Sequence, residues 1–129
     1  YPGVVEMVQS VRAAGCRTGL VTSKNRVGAF RGLRLAGLED AMDIVIGADD
    51  VSNPKPHREP VDLAVARLGA DPVTTVYVGD SVHDMHSGRS AGVRTAAVLW
   101  GPFGRPDLEP ADPDHWLHHP RELLTLLDT

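Results

Sequence analysis

Thr75-Val76-Tyr77-Val78-Gly79-Asp80-Ser81-Val82-His83-Asp84-Met85 is a buried-strand pattern that runs straight into a turn carrying two carboxylates. The Val76 to Val78 run is β-branched and aromatic, Gly79 permits a sharp backbone turn, and Ser81 is placed to cap a helix that ends near Gly92. Asp80 then leaves the carboxyl end of a strand, the edge where open α/β sheets bind ligands. Asp84 falls in the first turn of the helix and can face the same crevice. Two hard carboxylates there make a seat for Mg2+, which takes few protein oxygens and fills its octahedron with water and substrate phosphate. Asp84 also has a capping reading, because Ser81-Val82-His83-Asp84 matches a helix N-terminal box in which both side chains satisfy backbone donors. Asp80 is less easily explained that way, since Ser81 already supplies a cap.

Before this stretch, Val4, Met7, Val8 and Val11 recur at helical spacing over residues 3 to 14, and Cys16 to Thr22 reads as a short strand. Ser23 or Asn25 can cap a second helix, with Val27, Phe30 and Leu33 on one side and a stop at Gly37. Asp43 to Gly47 is the next strand, and Ala48 to His57 is too interrupted by proline for regular structure. A third helix starts near Pro60 and buries Val61, Ala64, Val65 and Leu68. After Gly92, Arg94 to Trp100 is a fourth strand, Gly101 to Pro113 is loop, and Pro120 to Leu127 is a terminal helix with Leu123, Leu124 and Leu127 inward. Four strands alternating with helices predict a parallel, doubly wound α/β sheet. Right-handed crossovers would put Thr22, the loop leading to Lys55, and Asp80 along one rim.

Composition narrows the function. The 129 residues, 42% hydrophobic, suit a single domain covering the whole chain and large enough to bury a core. A net charge of −4 without a Lys/Arg block gives nucleic-acid or acidic-membrane binding no electrostatic support, so an anionic ligand must be bound locally. The single cysteine, Cys16, cannot form an internal disulfide, and no apolar run approaches about 18 residues or resembles a signal peptide. A soluble protein of the cytoplasm is the default expectation.

Two positions outside the opening stretch could complete an anion site. Thr22 is a hydroxyl at a strand end, followed by the free N–H groups of a helix start, an arrangement that binds phosphate but also terminates ordinary strands. Lys55 lies between Pro54 and Pro56, which restrict its backbone and aim its side chain, although a solvated loop lysine has the same composition. His57 and His83 adjoin this region. His115, His118 and His119 fall in a polar loop without a partner set of cysteines or evenly spaced carboxylates for a zinc site. Asp49-Asp50 reads as a solvated loop pair, Trp100 and Trp116 as packing residues, and Cys16 as a small buried hydrophobe at a strand start.

Taken in order, Thr22 after a strand, Lys55 in Pro-Lys-Pro, and Gly79-Asp80 with Asp84, Gly88 and Ala91-Gly92 downstream, the chain resembles the haloacid dehalogenase-like (HAD) phosphohydrolases. The phosphoglycolate phosphatase and pyrophosphatase-like branch is the nearest. The resemblance implies a Rossmann-like core and hydrolysis of a small phosphorylated metabolite through an aspartyl-phosphate. Thr22 and the Ser23 N–H would hold the phosphoryl group, Lys55 would neutralise its charge, and Asp80 with Asp84 would hold Mg2+. A phosphomutase of the same superfamily would share these motifs.

The family's nucleophile lies in a D-x-D-x-T segment on the first, central strand, before the cap domain, and none of the 129 residues forms one. Tyr1-Pro2-Gly3-Val4 resembles the point where such proteins re-enter the core after the cap. The expectations are therefore a core lacking its first central strand, no phosphatase activity of this chain alone, and marginal stability. A non-catalytic phosphate- or Mg2+-binding module, or a half completed by the missing nucleophile and cap segment, is the alternative.

Overall fold

The computed structural model describes residues 3–128, with side chains to residue 126. Helix α1 (Val4–Ala13) precedes strand β1 (Gly19–Val21), α2 (Arg26–Ala36) precedes β2 (Ile44–Ile46), and α3 (Glu59–Leu68) precedes β3 (Val76–Gly79). Helix α4 (Val82–Ser90) is followed by β4 (Arg94–Val98), α5 (Arg105–Leu108) and β5 (His115–Leu117), and a 3-10 helix covers Pro120–Asp128. Local chemistry sets these boundaries. Asn25 caps α2 by accepting from the Gly28 N–H at 2.8 Å, Pro60 occupies the first turn of α3, and Ser81 caps α4.

β1 pairs in parallel with β2, with Leu20 opposite Val45. β3 pairs in parallel with β4 and β4 with β5, Val78 standing opposite Ala96 and Ala97 opposite Trp116. The α/β fold with parallel strands is the expected one, but the sheet is divided. One part is β1-β2, the other β3-β4-β5, and no hydrogen-bonded pair joins them among the described residues. β1 and β3 are not paired with each other. Helix α3 connects the parts instead, packing on β1, β2 and α4.

Apolar side chains cover both faces of β4. Ala96 and Val98 pack with Leu117, Leu123 and Leu126, while Ala97 packs with Met85, Leu108 and Ala111. Such two-sided burial explains why Thr95 to Val98 is apolar without alternation, its one hydroxyl being hydrogen-bonded to Asp114. Met85 and Leu108 are completely buried, each contributing about 1.5–3 kcal/mol. Val8, Ala29, Leu33, Leu38 and Val45 form the corresponding core under β1-β2.

Several expectations are corrected. Among the described residues there are five strands, because His115-Trp116-Leu117 is a strand and not polar loop. Three residues beginning with histidine carry too little pattern to show this. A tertiary link secures them: Asp114 Oδ2 accepts from the Thr95 N–H at 2.8 Å. The expected loop after Gly101 contains α5 and a 3-10 turn, held by the buried Leu108 and Ala111. In α2 the inward face is Ala29 and Leu33, and Val27 is 67% exposed. Cys16 is half-buried in the connection before β1. In the terminal helix Leu123 and Leu126 face the core and Leu124 is exposed, whereas the Leu127 side chain lies outside the described residues. Among the described residues no helix is long and apolar enough to cross a membrane.

Candidate active site

Three of the residues singled out from sequence come together where β3 meets α4. Lys55 Nζ donates to Asp84 Oδ1 at 2.6 Å and to the Tyr77 hydroxyl at 3.3 Å. The Tyr77 hydroxyl donates in turn to the same Asp84 oxygen at 3.3 Å. Asp84 Oδ2 accepts from the Asp80 N–H at 3.1 Å, and the Asp84 N–H donates to Ser81 Oγ at 3.2 Å. The capping reading of Ser81 and Asp84 is therefore half right. Ser81 caps the helix, but the Asp84 carboxylate serves Lys55 and the strand-end amide.

Gly79 makes this packing possible. A Cβ there would lie 2.5 Å from Asp84 Cβ and 2.7 Å from Asp84 Oδ2. Gly79→Ala is thus expected to push Asp84 off Lys55 and cost about 1–3 kcal/mol in urea unfolding, as overpacking does. Gly32→Ala in mid-helix, where nothing lies within 4 Å, serves as the control and is expected to stabilise by about 0.5–1 kcal/mol. Equal effects at the two sites would remove the steric basis of the cluster.

The electrostatics of the two carboxylates diverge. Burial pushes Asp84 up, but the Lys55 hydrogen bond and charge, with the Asp80 N–H and Ser81, overcome it and hold its carboxyl below the ordinary range. Burial and then the adjacent Asp84 charge push Asp80 above the ordinary range, with Lys55 only partly opposing. Burial, followed by the charge of Asp84, raises Tyr77 strongly and keeps its phenol neutral. One ammonium shared between two carboxylates leaves net negative charge concentrated at Asp80. The donor chemistry there, carboxylate oxygen, is the kind a small hard cation takes. Among the described residues no group of three or more His, Cys, Asp or Glu side chains converges, so the ion would depend on carboxylate oxygens from Asp80 and Asp84, water and substrate phosphate.

The segment bearing Lys55 is fastened on both sides. Glu59 Oε1 accepts from the Ser52 N–H at 2.6 Å and from the Asn53 N–H at 3.3 Å. The buried Ser87 hydroxyl donates to the His57 carbonyl at 2.6 Å, tying the segment to α4. His57 Nδ1 accepts from the Glu59 N–H at 3.0 Å, so that ring nitrogen is already used. His83 is exposed. A surface cavity of about 500 Å3 lined by Asp50, His57, Arg58, Glu59, Asp62 and Leu63 lies beside this segment and is not lined by Lys55, Asp80 or Asp84. The carboxylate cluster has the better chemistry for a site.

Thr22 and Ser23 form a separate turn at the end of β1. The Thr22 N–H donates to the Ile46 carbonyl at 3.0 Å, and its hydroxyl accepts from the Lys24 N–H at 3.2 Å. No hydrogen bond among the described residues links Thr22 or Ser23 to Lys55, Asp80 or Asp84. Beside this turn Asp49 and Asp50 bind the start of α2: Asp49 is solvent-exposed, as the sequence suggests, and Asp50 is partly buried. Asp49 Oδ1 accepts from the Arg26 N–H at 3.0 Å, and Asp50 Oδ2 accepts from Arg26 Nη1 at 3.1 Å. Sequence reasoning also passed over Tyr77, Glu59 and Ser87. Tyr77 had one available signal, a hydroxyl inside an otherwise aliphatic strand three positions before Asp80.

A family model for haloacid dehalogenase-like hydrolases matches residues 1–98. The chain belongs to that family. It is 40% identical over 127 residues to the pyrophosphatase PpaX of Bacillus pumilus and 42% identical over 127 residues to that of Bacillus cereus. Each alignment takes in 98% of this chain and 59% of the relative, so the chain spans about three-fifths of the length of these curated relatives. Among solved structures, a HAD-superfamily hydrolase of subfamily IA from Geobacter sulfurreducens matches with a TM-score of 0.81 at 30% identity, over 98% of this chain and 55% of that one. A provisionally named beta-phosphoglucomutase from Thermotoga maritima matches at 0.88 and 29% identity, over 99% of this chain and 59% of that one.

Proposed function

We propose that this chain supplies the Mg2+- and phosphate-binding part of a phosphatase that hydrolyses a small phosphate monoester through an aspartyl-phosphate. The observation that carries the reading is the Lys55, Asp80 and Asp84 cluster, in which Lys55 neutralises one carboxylate and leaves the other without a matching cation. Bound Mg2+ would neutralise charge on a phosphoryl group. Asp80 would be its main protein ligand, with Asp84 contributing while it holds Lys55. Lys55 would face the phosphoryl oxygens as a fixed positive charge, and Thr22 with the Ser23 N–H would bind the phosphoryl group from the β1 end. The pyrophosphatase relatives support a small phosphorylated substrate, and the compartment that suits the composition is the cytoplasm.

Neither Asp80 nor Asp84 is placed to attack phosphorus, because each is engaged in holding the cation or Lys55. With no D-x-D-x-T among the 129 residues, the chain by itself carries no covalent nucleophile. The divided sheet favours a half that is completed by a nucleophile-bearing strand, because among the described residues β1 is bonded only to β2 and β3 only to β4. The likeness to a beta-phosphoglucomutase keeps a phosphomutase as the second reading of the completed site.

The cation site is tested by thermal unfolding followed through Trp100 and Trp116. Wild type is expected to be stabilised by Mg2+, by about 2.7 kcal/mol at a hundred times Kd. Asp80→Asn removes the carboxylate whose ionisation is unfavourable in the fold. It should raise Tm in EDTA and abolish the Mg2+ response. An unchanged Mg2+ response in Asp80→Asn would remove Asp80 from the site.

A further inference from the structure

The Thr22 turn and the Lys55 segment leave different strands, yet one joint fastens them. Asp50 Oδ2 accepts from the Gly47 N–H at 2.8 Å and from Arg26 Nη1 at 3.1 Å, and Arg67 Nη1 lies 3.8 Å from Asp50 Oδ1. The same Arg26 nitrogen donates to the Val45 carbonyl at 2.8 Å, while the Arg26 N–H donates to Asp49. Beside them the Ala48 N–H donates to the Lys24 carbonyl at 2.8 Å. Gly47 sits so close to this crossing that a Cβ would meet the Arg26 nitrogen at 2.9 Å and the Lys24 carbonyl oxygen at 3.0 Å. The Asp50 side chain is 14% exposed; its carboxylate accepts charge-assisted bonds from the β2 end and the start of α2, and the Arg67 guanidinium of α3 adds an ion pair at 3.8 Å. Five residues on comes Lys55, whose far side is secured to α4 through Ser87 and His57.

We infer that Asp50 is a positioning residue that couples the Thr22–Asn25 turn to the Lys55 segment, so that the two parts of the phosphate seat keep a fixed relation. The functional part of this inference rests on the phosphate-site reading above; the coupling itself does not. A carboxylate here is required because both a backbone N–H and a guanidinium converge on one oxygen. Removing it takes the side-chain acceptor from the Gly47 N–H and one of two acceptors from Arg26 Nη1 in a crowded crossing.

The test is amide hydrogen exchange of the 129-residue chain, read residue by residue by NMR in wild type, Asp50→Ala and Arg26→Gln, with orthophosphate titrated in the presence of Mg2+. Asp50→Ala is expected to speed exchange on both sides of the joint, at Gly47 and Ala48 and also from Lys24 to Gly28. It should weaken orthophosphate binding about tenfold or more, the scale on which a charge-assisted bond acts. Arg26→Gln, which leaves the Gly47 bond in place, should act in the same direction and less strongly, and it decides the matter if Asp50→Ala does not fold. Exchange changes confined to Gly47–Asp50, with the Lys24–Gly28 amides unmoved, would overturn the coupling. If wild type gives no orthophosphate response, the phosphate-seat reading fails while the exchange pattern still accepts or rejects the joint.

Discussion

Lys55→Met is expected to lower the stability of this chain by about 3–5 kcal/mol at pH 7, the range seen when one partner of a buried ion pair is removed. The pair is well sequestered, with side chains only 14% and 10% exposed, and its 2.6 Å contact is the strongest attraction Asp84 receives. Methionine fills much of the same volume, so the loss comes from an uncompensated carboxylate lying next to Asp80. The pH dependence separates this cause from simple packing damage. In wild type Asp84 is depressed, so its contribution is complete above the ordinary carboxylate range and is lost as pH falls through its lower folded pKa, below about 4. Asp80, being raised, has the opposite sign: its contribution is complete at low pH and is lost as pH rises through its folded pKa. Without Lys55, Asp84 loses its two largest lowering contributions, and burial, the largest cause, is opposed only by the weaker Asp80 N–H and Ser81 bonds, so Asp84 joins Asp80 in sign. Urea unfolding in EDTA should therefore find Lys55→Met gaining stability as pH is lowered from 7 toward 5. A loss under about 1 kcal/mol would count against the buried pair, since surface changes such as Lys24→Met fall within about 0.5 kcal/mol.

The largest effect concerns turnover. The 129-residue chain is expected to show no Mg2+-dependent hydrolysis of a simple phosphate ester, and joining it to a nucleophile-bearing segment should raise the rate by a factor on the order of 10^4 or more, the scale on which a covalent nucleophile acts. A practical donor is the part of Bacillus pumilus PpaX N-terminal to the region aligned with this chain, because the match lies in the C-terminal portion of that relative at 40% identity. In the joined protein the new strand would pair with the free edges of β1 and β3 and bring its carboxylate to the Lys55 and Asp80 cluster. The gain should vanish in Asp80→Asn, which retains the strand but loses the cation seat. An active joined protein that tolerates Asp80→Asn would place the metal elsewhere.

How legible this was follows from where each signal lay. Val76 to Met85 disclosed both its strand and its helix because the β-branched run, Gly79 and the Ser81 cap all act within a few residues. The α/β class followed from alternation, whereas the sequence did not decide that β1-β2 and β3-β4-β5 are unbonded to each other among the described residues. β5 was not legible, because a three-residue strand is defined by its partner β4 and by the Asp114 to Thr95 bond. Leu108 in a Gly/Pro-rich stretch was hidden for the same reason, its burial being decided by Met85 and Ala97. At the site, Lys55 could be aimed by its flanking prolines, but its pairing with Asp84 and Tyr77 is a long-range contact that no local pattern encodes. Asp49-Asp50 was read as solvated, which holds for Asp49; Asp50 is partly buried because the Arg26 side chain and the Gly47 N–H reach it from outside the local pattern.

The central claim is that Asp80, Asp84 and Lys55 are the cation and charge-neutralising part of a phosphatase whose attacking group comes from another segment. The most direct measurement is phosphate release from a generic ester such as p-nitrophenyl phosphate, with Mg2+ and with EDTA, by this chain, the joined protein, and the joined protein carrying Asp80→Asn. The expected result is release by the joined protein alone, and only with Mg2+. Mg2+-dependent release by the 129-residue chain itself, abolished in Asp80→Asn, would contradict the account by showing that the reactive centre is already complete.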